Sequence, residues 1–224
     1  MTQFLATNYG LRNPFRYGDD VIEPATRPRL TRKGQATRDR IVAAAADLIA
    51  AHGVAGLSLD QVRRSAAVSG SQLYHYFDSK QSLIGAVITR QATAATETEL
   101  GALDSLEALR AWADAAVEHQ ARNGGRGGCT LGSLAGELSA SDETSRAGLA
   151  DGFLRWQGVL RDGLGAMRER GELRADADLD ALALTLLAAL AGGNVLSQTM
   201  RDTAPLRAAL DAALARVCSC LTTP

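Results

Sequence analysis

Ser69-Gly70-Ser71-Gln72-Leu73-Tyr74-His75-Tyr76-Phe77 is the stretch whose reading decides the fold. A serine able to cap a helix is followed by eight residues and then by Asp78-Ser79-Lys80, which holds the next cap. About two helical turns fit between the caps, too short a helix to be stable by itself. Leu73 and Phe77 form an i, i+4 pair on one side, Ser71, Gln72 and His75 point the opposite way, and Tyr74 and Tyr76 flank them. The first pair holds the helix down and the others are offered outward.

Just upstream, Ser58-Leu59-Asp60-Gln61 fits a capping box, in which the serine hydroxyl takes the amide three residues on and the glutamine reaches back. A second short helix, Leu59 to about Ala66, therefore precedes the first. Only Ala67-Val68 separate it from Ser69, a spacing that suits a helix-turn-helix with Val68 as its buried pin. The second helix is then the one able to enter a DNA major groove.

Thr37-Arg38-Asp39-Arg40-Ile41 through Ala50-Ala51-His52-Gly53, then Leu57-Ser58, Val68-Ser69 and Leu73 through Leu83, together resemble the DNA-binding domain of TetR-type (TetR/AcrR) regulators. The resemblance implies an all-α fold, with an N-terminal three-helix helix-turn-helix domain followed by a C-terminal helical ligand-binding and dimerisation domain. It implies a homodimeric transcription factor released from double-stranded operator DNA by a small ligand. Arg63 and Ala67 depart from the family pattern, which usually has a small residue and a glycine there. The family pattern, with the flanking and helix-start positions, assigns Ser58, Tyr74, Tyr76 and Lys80 to phosphates. The outward face assigns Gln72 and His75 to base edges, beside Ser71.

Composition agrees with a soluble globular protein: 224 residues, 46% hydrophobic and 22% charged. The formal charge of −1 hides an asymmetry. Residues 1 to 90 carry 12 Lys+Arg and 7 Asp+Glu, a net of +5, whereas residues 91 to 224 carry 12 and 18, a net of −6. A basic module joined to an acidic body suits a phosphate-binding head. Cys129, Cys218 and Cys220 make no disulfide framework and read as reduced thiols of a cytoplasmic protein; Cys218-x-Cys220 lacks a matching His/Cys pair, so neither metal nor cofactor is expected. The N-terminus does not read as a secretory signal, and the apolar run from Ala181 to Ser197 reads as a buried helix, with no membrane partner.

In chain order, residues 1–33 read as an irregular extension with Pro14, Pro24 and Pro28, basic at its end. Arg27, Arg29, Arg32, Lys33, Arg38 and Arg40 face a single acid, Asp39: either a solvated linker or an arm reaching phosphates, with Arg38 the site candidate. The DNA-binding domain is placed at residues 34–84 and the helical body at 85–224. The first helix runs from Thr37 to His52, ended by Gly53; after the helix-turn-helix, a longer one starts at Asp78 or Ser79 and runs toward Leu100. The body reads as helices over Ser105–Arg122, Cys129–Leu138, Asp142–Arg170, Asp178–Thr199 and Pro205–Leu221. Asn123 to Gly128 breaks the first of these, and lacks the ending of a phosphate-binding loop. Gly128 to Leu138 is similar to a segment in the C-terminal domain of one subset of the same regulators.

Two body sites follow. Leu206, Leu210, Leu214, Val217 and Leu221 make a stripe expected at a dimer interface, with Ala188, Ala189, Ala191, Gly192 and Gly193 permitting close helix approach. A mainly apolar effector pocket is expected among Trp112, Val117, Leu131, Leu134, Phe153, Trp156 and Leu190, with His119 and Asn194 as polar anchors. A guest there would displace the helix beginning near Lys80 and alter the spacing of two recognition helices. Catalysis is not expected: the only histidines are His52, His75 and His119, and no Gly-x-Ser-x-Gly or His-Glu-x-x-His occurs. The reading is a repressor; an activator of the same fold is the alternative, ahead of a helical interaction module or an enzyme.

Overall fold

Side-chain caps set where the helices begin. The computed structural model describes residues 30–97, 103–125 and 128–222, and among them there are nine α-helices and one isolated bridge. The extension over residues 1–29, with Arg27 and Arg29, lies outside the described residues. α1 spans Arg32–His52, five residues longer at its start than the reading from Thr37. The reason is Thr31, whose hydroxyl accepts the Gly34 amide at 3.1 Å. Arg32, Lys33, Arg38 and Arg40 are therefore helical and not a linker. Ile41, Val42, Ala45 and Ile49 form its buried stripe, and Gly53, at φ 71°, closes it with its N–H on the Ile49 carbonyl.

α2 (Leu59–Ser65) and α3 (Gly70–Tyr76) each start with a complete capping box, Ser58 with Gln61 and Ser69 with Gln72. Val62, Val68, Leu73 and Phe77 are buried in one cluster with the apolar stripe of α1, so the pair is pinned as the spacing requires. The connecting turn puts Ala67 at φ 50°, a left-handed conformation that costs a non-glycine residue roughly 1 kcal/mol. Arg40 supports the turn by donating Nε–H to the Ala66 carbonyl at 2.9 Å.

α4 (Lys80–Glu97) crosses the expected boundary between residues 84 and 85. Leu83, Ile84 and Val87 are buried with the head, while Ile88 and Ala92 sit on α7 (Glu143–Glu169). α7 offers a small-residue face there: a Cβ at Gly152 would stand 3.0 Å from the Ala92 methyl, and one at Gly148 would meet Ile88 at 3.6 Å. Head and body are thus packed together along one helix.

The body adds α5 (Leu106–Arg122), α6 (Thr130–Leu138), α8 (Leu179–Met200) and α9 (Ala204–Cys218). Ser105, Asp142 and Asp178 accept amides at the starts of α5, α7 and α8, and the Cys129 thiol takes the Gly132 amide at 3.3 Å for α6. α9 stops at Cys218, so Leu221 is not on the expected stripe. Arg174 N–H donates to the Cys220 carbonyl instead, and Leu221 bridges Leu173.

The dimer stripe needs a larger correction. Leu206, Leu210, Leu214 and Val217 are all buried in the chain's own core, against α8. Gly193 makes that approach possible, since a Cβ there would stand 2.8 Å from Leu206 Cα. α8 is 22 residues long and holds an 18-residue window of mean hydropathy 1.7, sufficient by length and composition for a membrane span. It buries Leu182, Leu186, Leu187 and Leu190, and leaves Leu184, Val195, Leu196 and Met200 exposed.

Two apolar clusters result. One joins the head to α4, α6 and the start of α7; the other joins α5, α8, α9 and the rest of α7. Phe153 and Trp156 pack against both.

Candidate nucleic-acid interface and its link to the body

α3 presents the polar and aromatic residues expected of it. Ser71, Gln72, Tyr74 and His75 are exposed, Tyr74 at 61%, while Tyr76 is half-buried against the head core, its hydroxyl beside Gly34. The His75 and Tyr76 rings meet edge to face with centroids 5.0 Å apart.

Several of these side chains have partners inside the protein. Gln72 is the third residue of the second capping box: its Oε1 accepts the Ser69 N–H at 2.9 Å while its own N–H donates to Ser69 Oγ at 3.1 Å. A bidentate adenine contact would have to take that oxygen from the box. Ser71 Oγ lies 3.0 Å from Ser69 Oγ, and the Ser58 hydroxyl donates to Gln61 Oε1 at 2.8 Å. The Arg38 guanidinium stands 5.3 Å from the Phe77 ring centroid, a cation–π contact that sets it beside α3. Arg63, the unusual residue of α2, forks onto Asp60 Oδ1 at 2.8 and 3.0 Å and so keeps out of the core. This hydrogen-bonded guanidinium, with Arg64 nearby, holds the Asp60 carboxyl below the usual carboxylate range.

Lys80 is turned into the protein, its Nζ donating to the Val54 carbonyl at 2.9 Å. The other side of the same residue is held by the body: Val54 N–H donates to Glu137 Oε2 of α6 at 2.7 Å. The loop after α1 is thereby gripped by α4 through its carbonyl and by α6 through its amide. Gly53 is needed beside this clamp, because its φ is 71° and a Cβ would come to 3.0 Å from the same carboxylate.

The expected effector residues fall on both sides of the seam between the clusters. Leu131 and Leu134 belong to the head-side cluster, Trp112 and Leu190 to the body cluster, Val117 packs on the latter, and Phe153 and Trp156 span the two. Asn194 is buried, with Nδ2 donating to the Leu190 carbonyl at 2.9 Å. His119 does not join this set: it is exposed and its Nε2 lies 3.0 Å from Asn123 Nδ2. Gln120 takes the inward position instead, at 1% exposure, with neither amide atom partnered. A signal was present, since Gln120 extends the α5 stripe of Leu109, Trp112, Ala113 and Ala116 by one more step of four.

A short exposed helix on a capped helix-turn-helix, fused to an all-helical body, defines a DNA-binding transcriptional regulator. The comparisons agree in both halves. Residues 41–87 match the family model described as "Bacterial regulatory proteins, tetR family", and residues 105–213 match "Tetracyclin repressor-like, C-terminal domain". The chain is 32% identical over 162 residues to the transcriptional regulator AcuR of Cereibacter sphaeroides, covering 70% of this chain and 74% of that protein. Among solved structures it resembles a regulatory protein TetR from Rhodobacter sphaeroides, with TM-score 0.67 and 26% identity over 80% of this chain and 97% of that one. The fold also matches reduced E. coli NemR, with TM-score 0.69 and 24% identity over 84% and 98%. The protein belongs to the TetR family of bacterial transcriptional regulators, which are not enzymes.

Proposed function

We propose that the protein is a cytoplasmic, homodimeric repressor released from its operator by a small, mainly apolar ligand. The observation that carries this is the exposed polar face of α3 on a head that the body grips twice, along α4 and through Glu137 on Val54. His75 and Gln72 take base edges, while Ser58, Ser71, Tyr74, Tyr76, Arg38 and Lys80 serve the sugar–phosphate backbone. Lys80 and Gln72 do so by exchanging their present partners for DNA. A ligand at the seam around Phe153 and Trp156 moves α6 and α4 together, and releases DNA to the extent that it favours the displaced state.

The test is a gel shift on DNA flanking the protein's own gene, repeated with a panel of small apolar compounds. Retention that one compound abolishes supports the proposal; retention that none alters removes ligand release from it.

Gln72→Ala is expected to cost about 1 kcal/mol of head stability through the lost box. It is also expected to relax preference at one base pair by roughly 1–3 kcal/mol. Gln72→Glu keeps the box acceptor, so it should restore the stability and not the preference. Equal losses on operator and random DNA would remove Gln72 from base readout.

The dimer is proposed to form through the uncovered side of α8. Ala181, Leu184, Ala188, Gly192, Val195 and Thr199 repeat at three and four residues and are exposed, an apolar stripe on the side away from α9. A two-fold axis there would place two recognition helices for successive major grooves, about 34–36 Å apart. Leu184→Asp with Val195→Asp should give a folded monomer in sedimentation whose DNA binding is weak. A dimer that persists would move the interface elsewhere.

A further inference from the structure

Gln120 contradicts the rest of the core around it. Its amide carries two donors and an acceptor, it is 1% exposed, and neither polar atom has a partner. Such a group destabilises the fold unless something satisfies it. Trp156 repeats the situation on α7, with its indole Nε1–H buried and unpartnered. The other buried polar side chains differ: Asn194 bonds the Leu190 carbonyl, Ser197 accepts the Leu206 amide at 3.1 Å, and Ser145 belongs to the α7 cap.

The two orphans lie on different helices, Gln120 on α5 and Trp156 on α7. Gln120 ends the inward stripe of α5, where its carbonyl also anchors the Gly125 amide at 3.0 Å. Past that turn, Gly128 lies against the Asn194 carbonyl and Gln198, and α6 begins at Thr130. Trp156 lies at the seam between the two clusters, which α6 closes with Leu131 and Leu134.

We propose that Gln120 and Trp156 are the polar anchors of the effector site, and that the effector is a neutral, largely apolar molecule with a carbonyl acceptor at one end. The indole N–H and the glutamine NH2 each call for an acceptor, which a ligand carbonyl supplies. The glutamine oxygen favours a donor beside it, as in a primary amide. An ionised end does not fit, because no charged side chain is buried among the described residues and a buried anion without a partner is costly. The inference rests on the ligand-released reading above and names the chemistry of its ligand.

The test uses the full chain with benzamide, benzoate and the apolar isostere cumene, followed by thermal unfolding and tryptophan fluorescence. Benzamide should bind about 10-fold more tightly than cumene, and benzoate more weakly than benzamide. Gln120→Met should raise the ligand-free Tm by about 2–4 °C, since an unsatisfied amide is replaced by a thioether of similar shape. It should also erase the benzamide advantage. Trp156→Phe, which keeps an aromatic ring and removes the N–H, should weaken benzamide about 2- to 10-fold and leave cumene unchanged. A ligand-free Tm that falls in Gln120→Met would show that the amide is satisfied within the fold and would overturn the inference. So would equal binding of benzamide and cumene by the unaltered protein. Preferential benzamide binding without loss of the gel shift would leave the anchors standing and refute ligand release instead.

Discussion

Gly163→Ala is expected to destabilise the protein by about 2–3 kcal/mol, the upper end for an added methyl group that must be forced into a packed site. Gly163 is buried in α7, where a Cβ would overlap the carbonyl oxygen of Leu103 and stand 2.6 Å from its carbonyl carbon. That neighbour is backbone, so no rotamer change clears it; α7 and the segment entering α5 must separate. The helix propensity gained by alanine, about 0.5–1 kcal/mol, offsets only part of this. Gly158, on the same helix, has nothing within 4 Å of its Cβ position. Gly158→Ala should therefore stabilise by the propensity gain alone. Denaturant unfolding of the two variants supplies the check, and equal midpoints would contradict the close contact at Leu103.

Leu73→Ala is expected to remove 2–5 kcal/mol from the head, the range for a buried leucine truncated to its Cβ. α3 has seven residues, too few to persist without packing, and Leu73 is its one fully covered side chain, with Phe77 just beyond its end. Loss of this anchor should open α2 and α3 locally while the α8–α9 core stays closed, because none of the Leu73 contacts reaches that cluster. Hydrogen exchange would show early opening of the α2–α3 amides and unchanged protection in α8. The gel shift should fall with the folded fraction of the head, on operator and random DNA alike. Tyr74→Ala, one residue away and exposed, should leave stability within about 0.5 kcal/mol and act on DNA affinity alone. Protection lost equally in α3 and α8 would mean that head and body unfold as one unit.

Helix starts were largely legible because their chemistry is local. Ser58, Ser69, Ser105, Asp142 and Asp178 cap helices by reaching amides three residues on, and Gly53 ends α1 with a positive φ. The helix-turn-helix followed from the same short-range signals, with Val68 and Leu73 buried as their spacing required. Even the second capping box was open to reading: Ser69-x-x-Gln72 has the same pattern as Ser58-x-x-Gln61. Assigning Gln72 to base edges from its angular position overlooked that competitor.

Periodicity determined that α8 and α9 each carry apolar faces, and it could not say which neighbour covers them. Burial depends on what another part of the chain brings, and an apolar stripe looks the same whether its partner is intramolecular or a second copy. Tertiary packing put Leu206, Leu210 and Leu214 inside and left Leu184 and Val195 outside, through the close approach that Gly193 allows. Long flexible side chains behaved likewise. Lys80 and Glu137 meet at Val54 only because α4 and α6 converge on the loop after α1, a contact between residues far apart in the chain. His119 and Gln120 are adjacent in sequence, yet one is solvated and the other sealed in the core without a partner. Local sequence thus determined the caps, the turn and the fold class, because those depend on neighbours a few residues away. Which faces meet, and which polar groups are left unsatisfied, was decided by the tertiary structure, because desolvation is a property of the whole packed assembly.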